Sequence, residues 1–222
     1  MRKNLLSFLS FAGAFLLGWL ALTSLAPSSW IANWAPCPRN WAWIPAWLPR
    51  ASPLESLSIG FDGGHAKICY GSPALRGRTM IGSERVPYGS LWRTGANEPT
   101  TLHLDAAARL GPLPLLPGSY SIYTVPGERD WQVVVNRATH QWGLESEYDD
   151  AVRAEEVGRF SVAAEALTTP VESLTFDARR LATGAVEIRL EWDHARLRLP
   201  LVAGLSEPLD EPVDLEVEPE IE

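Results

Sequence analysis

The strongest constraint on the fold is an alternating stretch over residues 185–201, with the sequence "AVEIRLEWDHARLRLPL". Before its "DHA" one face carries Val186, Ile188, Leu190 and Trp192, and after it one face carries Leu197, Leu199 and Leu201. A period of two residues is that of a β-strand with one buried and one solvated face, as in antiparallel sheets. We therefore predict two antiparallel strands here, with "DHA" as the short connection between them.

Shorter runs earlier in the chain have the same character. Strands are predicted for "HAKICYG" (65–71), "TTLHLD" (100–105), "VGRFSVAAE" (157–165) and "ESLTFDA" (172–178), and "SYSIYTV" and "DWQVVVN" flank the turn "PGER" as a hairpin. Only "EYDDAVRAEEVG" (147–158) offers one or two helical turns. Many short strands without βαβ alternation predict an all-β fold, an antiparallel β-sandwich, over residues 54–206.

The chain begins with Arg2 and Lys3, followed by an uncharged apolar run of eighteen residues from Leu5 to Leu22. As a helix this run would span about 27 Å, close to the hydrocarbon thickness of about 30 Å. Cleaved signals usually have a shorter apolar region, and here Pro27 directly follows the candidate cleavage site "SLA". We predict an N-terminal transmembrane helix over residues 1–26, an uncleaved signal anchor, with a cleaved signal as the alternative. Either way the following domain lies on the extracytoplasmic side, periplasmic or at the cell surface.

Residues 27–53 form a juxtamembrane linker rich in Pro and Trp, with Trp30, Trp34, Trp41, Trp43 and Trp47. Tryptophan favours the membrane–water interface, where its ring is half buried and its N–H stays hydrated. These side chains would either form a collar at the bilayer surface or pack on the folded domain.

The C-terminal residues 207–222 hold eight of the 27 acidic residues and no basic ones, which leaves 19 acidic residues against 19 Lys and Arg elsewhere. This acidic tail is predicted to be disordered. The neutral body has no basic stripe, which argues against a nucleic-acid partner. The four histidines form no paired metal-ligand spacing, and no phosphate loop or dinucleotide motif occurs. We therefore predict no metal site and no cofactor.

Two cysteines, Cys37 and Cys69, are 32 residues apart. In an oxidising compartment they could form a disulfide. Two unpaired thiols are the alternative, and only the distance between them decides.

Arg76 and Arg78 flank Gly77 in a predicted loop, "YGSPALRGR". Two guanidinium groups beside backbone N–H groups could hold a carboxylate or a phosphate. The alternative is that they pair with Glu84, Glu98 or another internal acid.

The segment "VPYGSLWRTGANEPTTLHL" (86–104) concentrates polar and aromatic residues between two turns. One interpretation is a corner between sheets, in which Arg93 meets Glu98 and Asn97 caps local backbone groups. The other is a ligand-binding cleft lined by Tyr88, Trp92, Arg93, Asn97 and Glu98, to which "HQWG" could add Trp142.

Five segments resemble one known family when taken in order: "YGSPALRGRTMIG", "VPYGSLWRTGANEPT", "LPGSYSIYTVP", "WQVVVN" and "QWG". They are similar, over about residues 67–200, to the hallmark segments of the bacterial domain-of-unknown-function family 2911. The resemblance implies an exported all-β domain and supplies no activity, ligand or catalytic residue. The chain departs from the family pattern at Ser72, where the pattern has Arg, and at Arg76, where it has Lys.

These observations favour a membrane-anchored, exported binding or envelope-associated module. Its partners would be the membrane and a small-molecule, glycan or protein ligand. One alternative is an extracytoplasmic hydrolase acting on glycan or peptide, with Glu98 as general acid or base. The other is a structural scaffold.

Overall fold

The computed structural model describes residues 33–37, 50–142 and 144–205. A 3-10 helix, Glu145–Glu147, and a short α-helix, α1 (Asp150–Ala154), precede the two longest strands. The strands are β1 (Leu54–Phe61), β2 (Gly64–Gly71), β3 (Thr100–Leu104), β4 (Ala108–Leu110), β5 (Leu113–Leu115), β6 (Gly118–Val125), β7 (Asp130–Asn136), β8 (Glu156–Arg180) and β9 (Val186–Ala203).

The nine strands form a mostly antiparallel sheet in the order β1-β2-β3-β6-β7-β8-β9-β4-β5. The predicted all-β, antiparallel class is confirmed, as is the hairpin of β6 and β7. The hydrogen bonding differs from that of a sandwich, because it links all nine strands into a single open sheet. The reason is the length of β8, 25 residues, which pairs with β7 over its first part and with β9 over the rest.

The prediction of two strands joined at "DHA" is wrong, because β9 runs continuously through these residues. Asp193 takes a positive φ of 55° at this point. Before it the buried apolar residues have even numbers, as in Trp192, and after it odd numbers, as in Ala195 and Leu197. One residue in a bulge-like conformation therefore shifts the alternation by one, so that both halves of β9 face the same core.

The two predicted strands at 157–165 and 172–178 are likewise a single strand, β8. Its register against β9 shifts between Ala166 and Val171 and again between Val171 and Thr175. Such irregularities bend a strand and increase its twist. The bend brings the end of β2 against the second part of β8, since Ser72 Oγ, just beyond β2, donates to the Leu174 carbonyl at 2.8 Å.

The main core lies on the concave side of this bent sheet and is built from aromatic and aliphatic side chains. Trp92 stacks on Trp192, with ring centroids 5.4 Å apart, and meets Trp131 edge-on at 6.3 Å. Tyr70 of β2 meets Phe176 of β8 edge-on at 4.8 Å. These contacts join residues between 39 and 106 positions apart in sequence and hold the sheet in its bent shape.

A second, smaller apolar cluster lies on the other face of β6 and β7. It consists of Tyr123, Val134 and Tyr148, against which Val152 of α1 packs. Helix α1 begins at Asp149, whose side chain accepts a hydrogen bond from Val152 N, a typical N-cap. The predicted helical turns are therefore present, and they cover this part of the sheet.

The predicted transmembrane helix, most of the Trp-rich linker and the acidic tail lie outside the described residues. Among the residues that are described, no helix is both long enough and apolar enough to cross a membrane.

Candidate functional site

Near Trp92 the segment 86–104 pairs with the end of β6, as a short strand would. Trp92 N donates to the Thr124 carbonyl at 2.7 Å, and Thr124 N donates back to the Trp92 carbonyl at 2.8 Å. The Trp92 indole N–H donates to the Gly95 carbonyl at 3.2 Å. With only 8% of its surface exposed, Trp92 is a core residue and does not line a cleft.

The next turn, residues 93–98, packs against β2 through backbone contact. Ala96 N donates to the Gly71 carbonyl at 3.2 Å, and a Cβ on Gly71 would lie 1.9 Å from Ala96 O. Thr94 is fully buried at φ 57°, a conformation that a β-branched residue rarely adopts. Its carbonyl accepts a 2.7 Å bond from Thr100 Oγ1. These features are those of a tightly specified corner between β2 and β6.

Glu98 faces Arg50 rather than Arg93. The carboxylate and the Arg50 guanidinium form a bidentate pair with distances of 3.1 and 2.5 Å. The two side chains are only 9% and 16% exposed. Arg50 lies in the predicted linker, 48 residues earlier, so no local pattern could have identified it as the partner.

This geometry gives an expectation for Glu98→Gln. The free energy of unfolding should fall by about 2 kcal/mol, because an amide oxygen replaces a carboxylate that the guanidinium binds through both oxygens. Chemical denaturation of the full chain measures this, with Glu84→Gln at an exposed loop position as the control, for which a change within about 0.5 kcal/mol is expected. Unchanged stability of Glu98→Gln would contradict a structural role for this pair.

The other polar residues of the segment are also engaged by the backbone. Arg93 Nη1 donates to the Asn97 carbonyl at 3.0 Å, and burial lowers the pKa of the Arg93 guanidinium, against the opposing charges of Tyr123, Glu147 and Glu98. Asn97 takes φ 67°, as asparagine tolerates. Arg93 therefore bonds within the segment, whereas the Asn97 side chain does not cap local backbone groups as predicted, because its Nδ2 donates to the Ser52 carbonyl, 45 residues earlier, at 3.5 Å.

Arg76 and Arg78 each bind backbone carbonyls. Arg76 Nη2 donates to Ala51 O at 2.8 Å, and Arg78 Nε donates to Leu75 O at 2.8 Å. The backbone N–H of Arg76 donates to Glu172 Oε1 at 2.8 Å. The loop is thus fixed by its own arginines, and neither the anion site nor a pairing with Glu84 appears among these bonds.

Trp142 lies beyond β7, where its backbone N–H donates to Glu147 Oε2 at 2.8 Å. The neighbouring Gln141 Nε2 donates to the Tyr123 hydroxyl at 2.7 Å. Gln141 therefore contacts the second apolar cluster through Tyr123, and Trp142 is the next residue in the chain.

A groove of about 290 Å³ opens where β8 and β9 are irregular. Its apolar lining consists of Ile81, Tyr88, Trp131, Ala164, Ala166 and Ala195. Its polar lining consists of Thr79, Glu128, Glu165, Asp193 and His194. Of the residues that the sequence proposed as ligand contacts, only Tyr88 lines this groove.

Asp193 explains why the groove has a fixed wall. Its Oδ2 accepts hydrogen bonds from Met80 N at 2.7 Å and Ile81 N at 3.1 Å. These bonds tie the start of the 79–88 loop to the kink in β9. The Tyr88 ring then packs over Gly82, where a Cβ would lie 2.7 Å from Tyr88 Cε2. The change of alternation at Asp193 was the one sequence signal that could have located this site.

A row of buried polar side chains lies on the convex face of β2 and β3 and was not anticipated. His103 is 5% exposed and Lys67 is 7% exposed. The His103 ring nitrogens lie 2.8 Å from Ser119 Oγ and 3.2 Å from Thr101 Oγ1. Burial, and secondarily the charge of Lys67, lowers the pKa of His103 to about 4.

This pKa makes stability depend on pH. In the unfolded chain a histidine binds its proton near pH 6.5, whereas folded His103 does so only near pH 4. Between these values the unfolded state holds more protons, so stability falls as pH falls from about 6.5 to about 4, by about 3 kcal/mol for this group. Denaturation at pH 7 and pH 4 should show a smaller difference for His103→Gln than for the unaltered chain. Equal differences would contradict this assignment.

Cys37 and Cys69 are joined in a disulfide, with their Cα atoms 5.7 Å apart. The bond holds residues 33–37 over β2, where Lys67 Nζ donates to the Ala35 carbonyl and Asn33 Nδ2 to the His65 carbonyl. No metal centre adjoins it, since the described residues contain no group of three or more His, Cys, Asp or Glu side chains that could hold an ion.

Comparison with known proteins identifies the family of this chain but assigns it no activity. The family model described as "Protein of unknown function (DUF2911)" matches residues 52–201, which is more than half of the chain. Comparisons with curated proteins and with solved structures found no match. The matched range contains the corner, the groove and β1 to β9 up to Leu201. The chain belongs to the DUF2911 family, whose function is unknown.

Proposed function

We propose that this protein is a membrane-anchored, extracytoplasmic binding module whose ligand site is the groove beside Tyr88. The observation that carries the proposal is the groove itself. It combines an exposed aromatic ring, an apolar floor and several polar groups at a strand irregularity. This combination is typical of small-ligand sites, which start at about 300 Å³.

The size of the groove fits a small molecule or a single side chain or sugar unit of a larger ligand. Tyr88 is 47% exposed and available for stacking, whereas Trp131 is 1% exposed and forms the floor. The wall is preorganised by the Asp193 bonds to the 79–88 loop, so little ordering free energy would be lost when a ligand binds.

Export is supported by the disulfide between Cys37 and Cys69, since such bonds persist in oxidising compartments. Membrane attachment is supported by the apolar run from Leu5 to Leu22. Trp34 is 71% exposed, so most of its surface is available to a membrane even though its ring centroid lies 6.2 Å from that of His65 on the domain. Cys37 belongs to the same segment as the linker tryptophans in sequence, so its bond to Cys69 would keep the domain near the bilayer.

We also infer that the two limbs of the sheet, β1-β2-β3-β6-β7 and β9-β4-β5, which β8 connects, act as the two layers of a sandwich. The stacked rings of Trp92 and Trp192 and the contact of Tyr70 with Phe176 support this. The predicted hydrolase gains no support, because the Glu98 carboxylate is bound bidentately by Arg50 and does not line the groove. A scaffold without a ligand is the outcome if the groove stays empty in the following experiment.

The test uses the full chain in detergent and a library of small sugars, amines, alcohols and carboxylates. Binding is followed by ¹⁵N–¹H spectra, in which groove ligands should shift the resonances of Thr79, Tyr88 and His194. Tyr88→Ala should weaken these ligands, whereas Leu116→Ala, at an exposed position outside the lining, should not. Failure of every compound class to perturb the groove would refute the binding function. Separately, alkaline carbonate should leave the full-length protein in the membrane pellet, and its release would refute anchoring.

A further inference from the structure

Acidic side chains predominate among the charged residues that line the groove. An inference from this charge rests on the proposed binding function and names the class of its ligand. Three lining residues are acids, Glu128, Glu165 and Asp193, and no lysine or arginine is among the described lining residues. Glu165 is neutralised from outside the groove, because Arg198 Nε and Nη2 donate to its carboxylate at 2.5 and 3.1 Å. Glu128 and Asp193 make no ion pair with any described residue.

Asp193 is the more informative of the two because it is 3% exposed. Its Oδ2 accepts both backbone hydrogen bonds from the 79–88 loop. Its Oδ1 accepts no hydrogen bond from the described residues, and this oxygen is not fully enclosed by protein atoms. Because Asp193 lines the groove, the groove is the side from which a ligand could approach this oxygen. A buried carboxylate with one vacant oxygen is costly unless a donor or a cation approaches it.

The remaining polar groups also present acceptors. His194 Nδ1 lies 2.9 Å from the Leu167 carbonyl oxygen. A carbonyl oxygen can only accept, so Nδ1 carries the hydrogen. In the neutral form of the ring Nε2 is then an acceptor. Glu128 lies on the exposed turn between β6 and β7. A carboxylate or phosphate ligand would be repelled by Glu128 and Asp193 and would find the hydroxyl donors of Thr79 and Tyr88 but no lysine or arginine among the described lining residues. A sugar would leave the negative charge uncompensated.

Beside these acceptors lies an aromatic and apolar surface. The Tyr88 ring is held over Gly82 and stays 47% exposed, so a cation could lie over its face. Ala164, Ala166 and Ala195 keep the floor shallow and apolar, which suits a hydrocarbon stem. The described residues contain no cluster of His, Cys, Asp and Glu able to hold a metal ion, so the cation that fits is organic.

We propose that the groove binds an organic cation, an ammonium or guanidinium group on a short apolar stem. The charged head would bond to Asp193 Oδ1 and lie near the Glu128 carboxylate, and the stem would pack between Tyr88 and the alanine floor. The same chemistry occurs in a free amine and in a lysine side chain of a peptide or protein.

The experiment compares three probes with similar unbranched alkyl stems on the full chain in detergent: n-pentylammonium, n-pentanol and n-pentanoate. The ¹⁵N–¹H spectrum should show groove shifts with n-pentylammonium at a concentration at least about tenfold below that required by the other two. Added salt should weaken the ammonium binding. N-acetyl-lysine methylamide and its norleucine counterpart then distinguish the sources, since a peptide ligand requires that the lysine form binds and a free amine requires that it does not.

Two variants identify the acceptors. Asp193→Asn keeps one oxygen for the bonds to Met80 and Ile81 and tolerates the positive φ, but it replaces the vacant acceptor by a donor. Glu128→Gln removes a charge on an exposed turn. Each should weaken n-pentylammonium binding about tenfold, whereas Glu55→Gln on β1, outside the lining, should leave it unchanged.

The outcomes separate this inference from the binding function. Groove shifts that favour n-pentanol or n-pentanoate would overturn the cation assignment and leave the groove as a ligand site. The absence of groove shifts with all three probes, together with an unsuccessful library screen, would overturn both. Ammonium binding that is insensitive to Asp193→Asn and Glu128→Gln would also overturn the assignment.

Discussion

Replacing Trp92 by alanine is expected to lower the free energy of unfolding by about 3–5 kcal/mol. The indole lies between Trp192 and Trp131 and donates to the Gly95 carbonyl. Its removal would leave a cavity at the contact that joins the corner to both limbs of the sheet. Thermal or chemical denaturation of the full chain measures the loss.

Two matched variants separate the causes of this loss. Trp92→Phe keeps an aromatic ring but removes the bond to Gly95, so it should cost less than Trp92→Ala. Tyr88→Ala, in the same segment but at an exposed ring, should change stability by no more than about 0.5 kcal/mol. If Trp92→Ala folded with unaltered stability and lost only a ligand, the corner interpretation would be wrong.

Removal of the disulfide should have an effect of similar size. The bond closes a loop of 32 residues between Cys37 and Cys69, for which the chain-entropy model gives about 3–4 kcal/mol. The double substitution Cys37→Ser and Cys69→Ser should therefore lower Tm by roughly 10 °C. The bonds from Lys67 to Ala35 and from Asn33 to His65 should weaken with it.

A reducing agent provides the control for this prediction. It should lower the Tm of the unaltered chain towards that of the double variant and leave the variant itself unchanged. A melting curve of the unaltered chain that does not respond to complete reduction would mean that residues 33–37 contribute nothing to the stability of the fold.

Local patterns predicted the strands of this protein because burial in an antiparallel sheet follows a period of two residues. The inward faces of β9 before and after Asp193 and the hairpin of β6 and β7 are as expected. The same patterns could not distinguish a hinge from a bulge at Asp193. A hinge and a bulge both shift the alternation by one residue. Which of the two forms depends on how β8 pairs with β9.

The candidate site was less predictable than the strands. Segment 86–104 stood out because it joins Trp, Arg, Asn and Glu in one run, yet most of these residues serve the corner. Tyr88 alone reaches the groove. The groove's remaining residues, such as Thr79, Glu128 and His194, carry no signal in sequence, since each is an ordinary polar residue of a loop or strand irregularity.

The sequence by itself determined the all-β class, the inward faces of the strands and the family, because these depend on the order of neighbouring side chains. The tertiary structure alone decided that Glu98 meets Arg50, 48 residues away, and that Asp193 anchors the 79–88 loop. It also decided that four separate segments form one acidic groove. These contacts depend on the strand order and on the bends in β8 and β9, which arise from interactions across the sheet and not from local periodicity.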